Sequence, residues 1–171
     1  MLIVAVLGPT SRPAAMDTHD RGTRAHMSIT EIIDVAVPVC EAYTQWTKFE
    51  SFPRFMEGVE RVEQVDATHL DWTVKVGLTS RRFRAAITTR EPDRCLAWRS
   101  ETGPHHAGTI TFEPLGDTHT RVTAEIDIDP DTFTEWVTDR AGVLNHRVKD
   151  DMKRFKDVVE RPVQGSPWSP R

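Results

Sequence analysis

Reactive side chains are sparse in this sequence, and their spacing excludes most chemistries. His105-His106 follows Gly103-Pro104, a turn signal. Neighbouring side chains on extended backbone point to opposite faces, so the two cannot hold one metal from a strand. A third ligand would have to come from Asp117 or His119, and that spacing matches no zinc pattern, so no metal is expected. Cys40 and Cys95 lie far apart with no histidine near either in sequence. They read as reduced thiols of a cytoplasmic chain, not as a disulfide scaffold. Gly8-Pro9-Thr10-Ser11 lacks the lysine of a phosphate loop and no dinucleotide fingerprint occurs, so no cofactor is expected. Two polar residues share strand parity with apolar neighbours: Glu31 with Ile29 and Ile33, and Ser100 with Trp98. Facing an interior, either could hold an enolate or protonate a carbonyl. Near strand ends, either could equally face water.

The stronger signal is aromatic. Trp46, Phe55, Trp72, Phe83, Trp98, Phe112 and Trp136 fall on positions expected to face inward or to rim an opening, joined by Val74, Ala85, Leu144 and Val148. Each ring can bury about 150 to 250 Å². They either plug a core or wall a pocket for an apolar or aromatic molecule.

Strands must position most of these rings. Segments at 28–37, 58–65, 69–76, 81–90, 94–99, 108–112 and 121–128 alternate apolar with polar residues between turn signals such as Glu91-Pro92-Asp93 and Gly116-Asp117. The connections are too short for parallel crossovers, so neighbouring strands run antiparallel. One parity collects Leu70, Trp72, Val74, Phe83, Ala85, Leu96, Trp98, Ile110, Phe112, Val122 and Ala124. The other collects Asp71, Lys75, Arg82, Arg84, Arg99 and Glu125. The sheet is therefore expected to be apolar on one face and wet on the other. Val59, Val62 and Val65 fit neither parity, which predicts a bulge.

Helices fill the remainder. Pro38 stops the first strand and opens a helix over 39–48, and Phe49 to Met56 predicts a second short helix. Residues 131–160 show sustained helical periodicity, with Phe133, Val137, Leu144, Val148, Phe155 and Val159 on one stripe. Asp129-Pro130-Asp131 is its start signal, and Lys156, Arg161 and Pro162 form its end.

With 171 residues and 38% apolar content, one domain over 28–160 is expected. Residues 1–27 read as a disordered extension, with Met27 a plausible initiator, and 161–171 as a loose tail. The net charge of −4 argues against a nucleic-acid partner. The run Leu2 to Leu7 is too short to span a bilayer, so no stable membrane insertion is expected.

The order of strand, two helices, six strands and a long helix resembles the α+β helix-grip fold of the START-like superfamily. Within it, the chain is similar to the bacterial polyketide cyclase/dehydrase and coenzyme-Q-binding branch. The resemblance is carried by Ile33-Asp34-Val35-Ala36-Val37-Pro38, by the block from Ala42 to Met56, by Leu96-Ala97-Trp98-Arg99-Ser100 and by the strand from Gly108 to Leu115. It implies a curved antiparallel sheet of about seven strands wrapped around the last helix, with a hydrophobic ligand between them: a lipid, a quinone or a polyketide. A cyclase or dehydratase is the alternative, and would need polar side chains converging inside. A protein-interaction module is the second alternative. It would need an exposed apolar patch on the outer sheet face or at Phe49 to Met56.

Overall fold

The computed structural model describes residues 27–76, 78–103, 105–128 and 142–161. In chain order it contains β1 (Met27–Val35), α1 (Val39–Thr47), a 3-10 helix (Phe49–Arg54), β2 (Val59–Gln64), β3 (His69–Val76), β4 (Thr79–Glu91), β5 (Cys95–Ser100), β6 (His106–Pro114), β7 (Thr120–Ile128) and α2 (Gly142–Val159). The strands make one sheet in the order β1-β7-β6-β5-β4-β3-β2, with every pairing antiparallel. The fold is thus α+β, with β2 to β7 a meander and β1 added beside β7. Residues 131–141 of the expected long helix lie outside the described residues.

Alternation sets the two faces. Leu70, Trp72 and Val74 on β3, Phe83 and Ala85 on β4, Leu96 and Trp98 on β5, and Ile110 and Phe112 on β6 are all buried, while Arg82, Arg84 and Arg99 are exposed. On the wet face, ion pairs form between register partners. Arg84 donates to both carboxylate oxygens of Asp71 at 2.7 and 3.0 Å, and Arg121 to those of Asp34 at 2.9 and 3.0 Å. These bidentate contacts hold both carboxyl groups below the usual carboxylate range. They fix register more than they add stability, because exposed pairs are well screened.

The pairing of β2 with β3 slips between Val59 and Arg61, which is the bulge expected there. A second slip, between Ile87 and Thr89 on β4, was not foreseen. The strand starts also differ from expectation. β6 begins at His106, two residues before Gly108, and β4 reaches back to Thr79. In both cases polar residues hid strand that cross-strand hydrogen bonds support.

The apolar face is closed by α1, the 3-10 helix and α2. Trp46 meets Phe52 of the 3-10 helix at 6.0 Å, Phe55 just after it at 5.5 Å and Phe155 of α2 at 4.7 Å between ring centroids, so all three helical elements join one cluster. Phe49, Phe52 and Phe55 are each 1% exposed, so these rings do not supply the exposed apolar patch that the interaction-module alternative would need. The exposed large apolar residues among those described, Ile32, Val65, Leu78 and Leu115, sit on separate elements and make no patch. Thr120 is the buried polar residue, and its hydroxyl donates to the Val37 carbonyl at 2.9 Å, tying the start of β7 to the turn before α1. Among the described residues no helix is long and apolar enough to cross a membrane.

Candidate functional site

The sheet and α2 do not meet everywhere. Between them lies a cavity of about 150 Å³, walled by Trp46 from α1, by Trp72, Val74, Phe83, Trp98, His106 and Ile110 from β3 to β6, by Ala124, Ile126 and Ile128 from β7, and by Val148 and Met152 from α2. Its volume follows from which side chains are large. Trp72 stacks on its register partner Phe83 at 5.7 Å and 11°, and on Trp98 at 6.3 Å and 26°. Between the two indoles β4 presents only the methyl of Ala85. On the far side of Trp98 its register partner is Gly108, and a Cβ placed there would overlap the indole. A glycine at 108 is therefore what lets this ring lie against β6.

Those stacked rings surround an imidazole. His106 lies 6.2 Å from Trp72, 6.1 Å from Phe83 and 5.9 Å from Trp98, centroid to centroid. Trp98 Nε1 donates to His106 Nδ1 at 3.2 Å. An indole N–H can only donate, so Nδ1 is unprotonated and the neutral ring carries its proton on Nε2. Burial, with a smaller contribution from His105, pushes the His106 pKa down to about 4. Ser100 seats this residue, its Oγ accepting the His106 backbone N–H at 3.0 Å.

One end of the cavity is charged. Glu57, Gly58, Lys75, Arg147 and Asp151 border it there. Asp151 Oδ1 accepts the Glu57 backbone N–H at 3.0 Å and an Arg154 Nη2–H at 3.0 Å, while Arg154 also reaches Glu57 Oε2 at 3.1 Å. Burial nevertheless pushes the Asp151 carboxyl up to about 6, against the pull of these donors. Two polar atoms in the wall have no hydrogen-bond partner in the structure: the indole nitrogens of Trp46 and Trp72, on residues only 3% exposed.

Of the residues singled out from sequence, Trp46, Trp72, Val74, Phe83, Trp98 and Val148 border this cavity. Phe55, Ala85 and Phe112 are buried in the surrounding core and do not border it. Trp136 and the side chain of Leu144 lie outside the described residues. Glu31 has the inward parity expected and is half-buried, yet does not border the cavity, and Ser100 is taken up by the start of β6. Sequence reading missed His106, Arg147 and Asp151. The first was legible, since it shares parity with Gly108, Ile110 and Phe112. The other two meet Glu57, 90 and 94 positions away, which no local spacing signals.

A family model described as polyketide cyclase / dehydrase and lipid transport matches residues 35–157. An uncharacterised 17.2 kDa protein of Streptomyces lincolnensis, from the melC2-rnhH intergenic region, is 44% identical over 137 residues, covering 80% of this chain and 91% of that protein. Among solved structures, the Zhui aromatase/cyclase from Streptomyces sp. R1128 superimposes with a TM-score of 0.62 at 17% identity, over 83% of this chain and 100% of that one. A START superfamily protein from Mycobacterium smegmatis gives 0.62 at 12% identity, over 80% and 95%. A Deinococcus radiodurans protein gives 0.62 at 24%, over 77% and 95%.

Proposed function

The chain belongs to the polyketide cyclase / dehydrase and lipid transport family, with the helix-grip fold of START-like proteins, and from that premise we propose that its cavity is a binding pocket for a ring-bearing apolar small molecule. The observation that carries this reading is the cavity wall itself, in which Trp46, Trp72, Phe83 and Trp98 border a space of about 150 Å³ between the sheet and α2. Apolar wall left against water forgoes about 25 cal/mol for each Å² that a ligand would bury. Domains rarely carry such terms for nothing, since their whole stability is about 5 to 15 kcal/mol. An aromatic molecule seated there would cover that wall. Trp46, Trp72, Phe83 and Trp98 supply ring faces, and Val74 and Val148 supply shape. The two unpaired thiols, Cys40 exposed and Cys95 half-buried, support placing the protein in the cytoplasm.

His106 supports a second reading, a cyclase or dehydratase. A neutral imidazole with its proton on Nε2, set among rings, is suited to donate to a carbonyl oxygen on which negative charge develops. The binding reading needs no such step and is preferred.

A melting-temperature screen against lipids, quinones and polyketide-like aromatics tests the proposal. A ligand at about a hundred times its Kd stabilises by about 2.7 kcal/mol, which is a rise of roughly 5 to 10 °C for a domain of this size. Flat curves across all three classes would contradict it.

A further inference from the structure

The cavity is not uniform along its length. Its ring-walled part holds no charged side chain, whereas the end formed by Glu57, Lys75, Arg147 and Asp151 is crowded with them. The charges at that end are unequally used. Arg154 reaches both Glu57 Oε2 and Asp151 Oδ1, and Asp151 also accepts the Glu57 backbone N–H, so both carboxylates have close donors. Arg147 does not have equivalent acceptors. Its side chain is 34% exposed, its nearest anion is Glu57 Oε1 at 3.7 Å, and it makes no hydrogen bond among the described residues. Lys75 has no ion pair or side-chain hydrogen bond among them.

This guanidinium lies close against the backbone. Gly58 has φ of +81°, and a Cβ at that position would lie 3.4 Å from Arg147 Nη2 and 3.9 Å from its Cζ. The head of Arg147 therefore rests on the bare backbone at the corner where the 3-10 helix passes into β2, at the rim of the cavity. A guanidinium offers five N–H donors in a planar fork that matches a carboxylate. Here the fork is partly withdrawn from water, and among the described residues its donors make no hydrogen bond.

We infer that the molecule bound in this cavity ends in a carboxylate, held by the Arg147 fork, while an apolar body of about one or two rings lies among Trp72, Phe83 and Trp98. This rests on the reading of the cavity as a binding pocket and adds the head group. The size of the body follows from the volume, since an apolar cavity of about 150 Å³ accommodates benzene. Glu57 does not exclude the anion. Its contact with Arg147 is loose, and it keeps Arg154 when Arg147 turns to the ligand.

Isothermal titration calorimetry of the full chain with 2-naphthoate and with its neutral isostere 2-naphthamide tests the assignment. The wild-type protein is expected to bind naphthoate at least about tenfold more tightly than the amide, the lower range of a charge-assisted pair. Arg147→Gln should erase that preference, weakening naphthoate about tenfold and leaving naphthamide within about twofold. Equal affinities in the wild-type protein would overturn the inference without recourse to any variant. So would an Arg147→Gln protein that loses both probes alike. If naphthamide binds and naphthoate has no advantage, the pocket stands and the carboxylate falls. If neither binds, both fall together.

Discussion

At the scale of single residues, two titrating groups in the cavity wall pull stability in opposite directions with pH. His106 has a folded pKa of about 4, below the usual histidine value, so the unfolded chain binds the extra proton between about pH 6.5 and 4. Its contribution is present above that window and lost as pH falls through it. Asp151 has a folded pKa of about 6, above the usual carboxylate value, so the folded chain holds the extra proton between about pH 4 and 6. Its contribution is present at low pH and lost as pH rises. Each amounts to an order of 3 kcal/mol across its window, and the two largely cancel. Asp151→Asn removes one of them. Denaturant melts of that variant between pH 7 and 4 should lose stability on acidification more steeply than the wild-type protein, and a parallel pair of curves would refute the assignment. Gly108 offers a second test at this scale. Gly108→Ala places a methyl inside the Trp98 indole, so it should cost about 1 to 3 kcal/mol by overpacking, read as a fall in Tm and a shift in tryptophan fluorescence.

Among the elements, α2 is the wall that faces the sheet across the cavity. It meets the rest of the molecule through Met152 and Phe155, both nearly inaccessible, and through the Asp151 and Arg154 contacts to the Glu57 corner. Phe155→Ala should cost about 3 to 5 kcal/mol in urea melts, because its ring touches Trp46 and Phe55 with no neighbour positioned to refill the space. Val148→Phe acts differently. Val148 is half-buried and borders the cavity, so a larger ring there should fill the void, preserving Tm while weakening ligand binding about tenfold or more. A variant that melts early and binds normally would place the ligand elsewhere. These elements were unequally legible in the sequence. Period-two alternation put Trp72, Phe83 and Trp98 on one face, because an antiparallel sheet with one wet side leaves that signature. The Val59 to Val65 stretch announced its bulge by breaking the same rule. His106 escaped because Gly103-Pro104 looked like the whole turn, although the chain had already become strand. The Arg147, Asp151 and Glu57 cluster was invisible for a different reason, since it arises only when α2 folds back on the corner after the 3-10 helix.

On the scale of the whole molecule, the fold leaves a gap that the sequence could have closed and did not. One helix against a seven-stranded sheet cannot fill the concave face, and the large rings here stack along the wall instead of crossing it. A glycine at 108 and an alanine at 85 sit where larger side chains would displace those rings. The outer face carries paired charges and Thr, so the only contiguous apolar surface described is internal. The central claim is that this interior holds a ring-bearing ligand, and mass spectrometry of the purified protein under native and then denaturing conditions tests it most directly. A reproducible small-molecule adduct that survives native ionisation, dissociates on denaturation and disappears in Trp72→Arg is the predicted result. A native mass equal to that of the bare chain, unchanged after incubation with lipids, quinones and polyketide-like aromatics, would contradict it and leave the rings as packing alone.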